Sequence, residues 1–119
     1  NKIAKDDFID KSIVKVITKD NIEKKGISRA KKFLRKCKHP KKNAYGHIGI
    51  YQFRTSILRK FVNLRQSKNE IKHRLEQLRA IENGINIDVV YSKNKSFGID
   101  TVEDYVEIKK IMEYKIKKL

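Results

Sequence analysis

The sequence predicts an α/β layer structure. Runs of β-branched residues alternate with segments whose apolar residues recur at helical spacing. Two of the helical segments open on capping boxes, Ser67 with Glu70 and Thr101 with Asp104, which fix where they start. A chain of 119 residues has room for one domain and a modest core.

Taken in order, "SIVKVIT" (12–18) is β-branched and reads as a strand interrupted by Lys15. The stretch 19–43 carries a glycine and the only proline and is mostly basic. It reads as a connection with one short strand or helical turn in it. "HIGIYQF" (47–53) is apolar and β-prone and predicts a buried strand. In "TSILRKFVNL" (55–64) the spacing turns helical, with Ile57, Leu58, Phe61 and Val62 on one face. The clearest helix lies within 67–84 and is expected to cover 69–83. Ile71, Leu75, Leu78 and Ile81 form its apolar stripe, and Gly84 ends it. "INIDVVY" (85–91) alternates as a strand. The last helix starts at Thr101, is expected to cover 101–115, and gathers lysines at its C-terminal end, where the helix dipole favours them.

Thirty Lys and Arg against fourteen Asp and Glu give a net charge of +16. Residues 1–46 hold fifteen basic and five acidic side chains, and between Lys24 and Lys42 there are ten basic residues and no acid. Such a field attracts phosphates of nucleotides, RNA or lipid surfaces. Lys-rich codon bias gives the same composition with no partner at all. No apolar run reaches the ~20 residues needed to cross a bilayer, and membrane insertion is not expected. The single Cys37 excludes an internal disulfide and fits a reducing, cytoplasmic compartment.

Three groups are candidates for chemistry. His47 and Tyr51 stand four apart in the expected strand, where i and i+4 share a face and both can meet one ligand; a histidine beside aromatics also serves plain packing. Glu76 and Gln77 flank the apolar stripe of the 69–83 helix. A carboxylate beside an amide can grip sugar hydroxyls, though Glu76 pairing locally with Arg74 or Arg79 is an equally simple account. Asp100 sits at the threshold of the last helix, where a carboxylate is stabilising in itself, but it is also suited to sharing a Mg²⁺ with substrate phosphates. No phosphate-binding loop, dinucleotide fingerprint, zinc spacing or nucleophilic triad is present.

Three stretches taken together are more specific. "YGHIGIYQFR" (45–54), "RLEQLRAIENG" (74–84) and "FGIDTVED" (97–104), in this order and spacing, resemble the 3-deoxy-manno-octulosonate cytidylyltransferases, the CMP-Kdo synthetases. "SIVKVIT" and "FVNLRQS" also look like that family, and "ISRAKKF" (27–33) resembles its strand ending in a Ser-Arg pair. The resemblance implies the C-terminal half of a nucleotide-diphospho-sugar-transferase-like (Rossmann-like) mixed-sheet fold, carrying the sugar-binding and dimerisation parts. It implies transfer of CMP from CTP to Kdo, giving CMP-Kdo and pyrophosphate for lipopolysaccharide biosynthesis, with Mg²⁺ as cofactor and a homodimer as the complete enzyme. By position, His47, Tyr51, Glu76 and Gln77 would face the sugar, Arg29 its carboxylate, and Asp100 would be a Mg²⁺ ligand.

The sequence also departs from that pattern. Val102 stands where the family usually has proline, His73 where it has glutamate, and 27–44 is Lys-rich where it has a proline-containing substrate loop. The family's CTP-binding N-terminal half has no counterpart within these residues. The expectation is therefore a fragment, inactive alone and with no catalytic residue of its own. Two other readings stand beside it: a cytidylyltransferase for a related sugar acid such as an amino-Kdo, and a basic nucleic-acid-binding module without catalysis.

Overall fold

The computed structural model describes residues 8–39, 41–93, 98–99 and 101–117. In chain order the elements are β1 (Lys15–Thr18), α1 (Ile22–Lys25), β2 (Ile27–Leu34), β3 (Ala44–Gly46), α2 (Thr55–Val62), α3 (Lys68–His73), α4 (Gln77–Glu82), β4 (Asp88–Val90) and α5 (Val102–Ile116). The strands form one sheet in the order β3-β1-β2-β4, and each neighbouring pair is antiparallel. The α/β class is the expected one. Three elements differ from their sequence reading, each for a definite reason.

The longest strand, β2, lies inside the stretch expected to be a connection. On β1, Ile17 faces Lys32 and Thr18 faces Ala30, so Lys31 is passed over as a bulge. A bulge shifts the inside–outside phase by one residue. Ser28 and Ala30 are buried before it and Phe33 after it, so no continuous alternation survives in the sequence.

The strand expected at 47–53 ends at Gly46. The His47 N–H still reaches the Val14 carbonyl at 2.8 Å, but the Ile50 N–H donates to Ile48 at 2.8 Å in a tight turn. Ile50 is 84% exposed. Apolar character here reports an exposed turn and not a buried strand.

The helix expected at 69–83 is two helices. Arg74, with φ 52° and ψ 54°, is left-handed and ends α3, while the Ser67–Glu70 capping box forms as expected. In a continuous helix Glu70 and Arg79 would be about 13.5 Å apart along the axis. The break brings Arg79 Nη2 to 2.8 Å from Glu70 Oε1, an almost fully buried ion pair. It also turns Ile71 out of the apolar stripe, leaving it 62% exposed. Arg79 therefore pairs with Glu70, and the local pairing with Glu76 is not formed.

Leu75, between the two helices, reaches the core made by Val16, Ile22, Ala30, Phe33 and Tyr45, with Leu78 and Ile81 packed against it. The interrupting Lys15 is wholly buried. Its ammonium donates to the carbonyls of Asp10, Ile13 and Arg35, which satisfies the charge where the strand enters the core. Neither α2 nor α5 buries a residue.

Candidate functional site

The edge strand β3 carries His47 to the surface, and the turn at 48–50 folds Tyr51 back onto it. In an extended strand four residues span about 13 Å; here the Tyr51 hydroxyl is 2.8 Å from His47 Nε2. The two residues meet as anticipated, through a turn and not through strand periodicity.

Both groups are uncharged near neutrality. Burial pushes the His47 imidazolium below its ordinary range, because desolvation disfavours the charged form. Burial, reinforced by the Glu76 carboxylate, raises the Tyr51 phenol to about 12. Either the phenol donates to an unprotonated Nε2 or it accepts from Nε2–H. In both arrangements the pair presents neutral donors and acceptors of the kind that recognise hydroxyls.

Glu76 arrives from the sharp passage between α3 and α4. The buried Leu75 and Gln77 anchor that passage on either side and leave Glu76 exposed. Glu76 precedes the first turn of α4 yet makes no cap hydrogen bond with its side chain. Its charge acts on the Tyr51 phenol across the space between them. Gln77 is only 6% exposed. Two of the expected sugar-facing residues thus meet, the charge of a third acts on them, and the fourth is the next residue in the chain.

Arg29 is placed differently. It faces Asp88 in the β2–β4 register and donates through Nε to that carboxylate at 2.8 Å. Both side chains are about half exposed. Asp100 lies outside the described residues. The capping box of Thr101 and Asp104 next to it is formed. Among the described residues no three His, Cys, Asp or Glu side chains gather as a metal centre.

A row of rings runs on from the pair. Phe33 meets His47 edge-on at 5.3 Å, and Tyr51, Phe53 and Phe61 continue the row at 6.2 and 5.7 Å. The Arg79 guanidinium closes it, 4.6 Å from the Phe61 centroid. Arg79 Nη1 donates to the Leu64 carbonyl at 3.2 Å, and Nε is buried without a partner among the described residues. Sequence reasoning missed Phe33, Phe53, Glu70 and Arg79 as supports. The only signal was aromatic residues recurring at 51, 53 and 61, which periodicity does not connect.

Comparison with known proteins places this arrangement in context. A sequence model described as cytidylyltransferase matches residues 4–111. The chain is 44% identical over 106 residues to a 3-deoxy-manno-octulosonate cytidylyltransferase of Thermodesulfovibrio yellowstonii, covering 83% of this chain and 41% of that protein. It is 36% identical to one of Chloroherpeton thalassium, covering 89% and 43%. Its fold matches a solved CMP:2-keto-3-deoxy-manno-octonic acid synthetase complexed with CTP, with a TM-score of 0.81 and 27% identity. That match covers 95% of this chain and 46% of the solved one. The chain spans less than half the length of these relatives. No helix among the described residues is long and apolar enough to cross a membrane. The chain belongs to the cytidylyltransferase family.

Proposed function

We propose that these residues form the acid-sugar side of a CMP-Kdo synthetase, in which CMP passes from CTP to Kdo with release of pyrophosphate. The observation that carries this reading is the His47–Tyr51 contact, on which the Glu76 charge acts from the next motif in the chain. The uncharged pair is suited to hydroxyls, and a carboxylate acts on it through its charge. Similarity to two cytidylyltransferases of that name supports it.

In this role the neutral His47–Tyr51 pair and the Gln77 amide orient sugar hydroxyls, and Glu76 accepts from them. Orientation of this kind converts binding energy into rate. Arg29 keeps its terminal nitrogens for a planar carboxylate. The described residues supply no chelating cluster. Mg²⁺ would be held by Asp100 together with phosphate oxygens and groups beyond these residues, where it would neutralise charge on the phosphates. The reading carries with it a cytoplasmic enzyme that is homodimeric when complete.

The test is direct. The 119-residue chain, given CTP, Kdo and Mg²⁺, should form no CMP-Kdo, while the complete reading frame should release pyrophosphate in step with CMP-Kdo. Turnover by the short chain, or a complete enzyme that ignores Kdo, would contradict the proposal.

A further inference from the structure

A cleft of about 960 Å³ shares only Phe33 with the site described above. It opens between β2 and the α3–α4 pair. Lys11, Lys31, Lys32, Lys36, Lys72 and Arg74 line it, together with Arg35. The β2 bulge at Lys31 lets two consecutive lysines of one strand line the same cleft. Arg35 is committed to structure, since it donates to the carbonyls of His73 at 2.7 Å and Arg74 at 2.8 Å and so ties β2 to the end of α3. Among the described residues the other six form no ion pair. The only carboxylate in the lining, Glu82, is engaged by Asn69 at 2.6 Å, and its hydrogen bonds to Ser67 and Asn69 hold its pKa low.

We propose that this cleft binds a small ligand carrying two or more linked phosphates. Cations held on a concave surface reinforce one another's field, and only a multiply charged anion answers several of them at once. Leu34, Leu78 and Ile81 give the cleft an apolar floor. A volume near 1,000 Å³ suits a small molecule. A strand of nucleic acid fits less well: of the two rings in the lining, Phe33 is 3% exposed and His73 stands alone, so successive bases find no stacking platform. Three of the five lysines, Lys31, Lys32 and Lys36, lie on β2 or just beyond its end.

Calorimetric titration of the 119-residue chain with sodium tripolyphosphate at low salt tests the proposal. The expected result is one saturable site. Lys32→Gln with Lys72→Gln should weaken it about tenfold, roughly the effect of two partly exposed charge contacts. Lys31→Gln with Lys36→Gln should reproduce the loss. Lys110→Gln with Lys115→Gln, the same charge change on α5, should leave the affinity within about twofold. Equal losses in all three variants, or no saturable binding, would overturn the proposal. So would a single-stranded RNA that binds while tripolyphosphate fails to displace it.

Discussion

His47 and Tyr51 show how far single residues could be read. Their partnership was legible, because both belong to a motif of recognisable spacing. The reason given for it was wrong, since a turn and not a strand joins them. Gln77 and Glu76 were legible as a polar pair, but their opposite burial came from the break at Arg74, which no local pattern announced. The depressed His47 pKa has a consequence for stability. An imidazole that stays neutral when folded binds fewer protons than it does unfolded, so stability rises with pH wherever the two states differ. The His47 contribution should be complete above the ordinary value of 6.5, fall as pH drops below it, and level off beneath the lowered folded value. Urea midpoints measured across that window should slope for the parent and flatten for His47→Gln. An unchanged slope would remove His47 as the source. Tyr51→Phe deletes one hydrogen bond and should lower stability by about 1 kcal/mol while leaving the His47 titration, which proton NMR reads directly, below 6.5, because the burial that lowers it is kept.

Among the elements, the helix–break–helix of α3 and α4 does most to shape the site. The Ser67 capping box was legible, and so was the end at Gly84, but the interior break was not. It depends on Glu70 and Arg79 finding each other across nine residues, a tertiary preference that outweighs helical propensity at Arg74. Breaking such a buried pair leaves one charge uncompensated, so Glu70→Gln should cost about 3–5 kcal/mol in chemical denaturation. Adding Arg79→Met should recover part of that loss, because it removes the stranded charge. A double variant less stable than the sum of the singles would show that the pair is not the organising contact. Arg74→Gly tests the break itself. Glycine accepts φ 52° without strain, so stability should hold or rise by up to about 1 kcal/mol. The β2 bulge repeats the lesson: a strand whose phase changes midway cannot be seen by period-2 reasoning, however regular its two halves are.

At the scale of the whole molecule, the radius of gyration of 16.1 Å exceeds the roughly 13.5 Å typical of a compact domain of this length. The fold class was legible from alternation, the sheet order was not, and the ordered motifs carried the function further than composition did. Val102, Val106, Met112 and Ile116 leave α5 with exposed apolar side chains. The central claim is that His47, Tyr51, Glu76 and Gln77 hold the sugar and not the nucleotide. Steady-state kinetics of Gln77→Ala in the complete enzyme, with Kdo and CTP varied separately, test it most directly. The account predicts that KM for Kdo rises about tenfold or more, the effect of a buried hydroxyl left unpaired, while KM for CTP stays within about twofold. A KM for CTP that climbs while that for Kdo holds would contradict it.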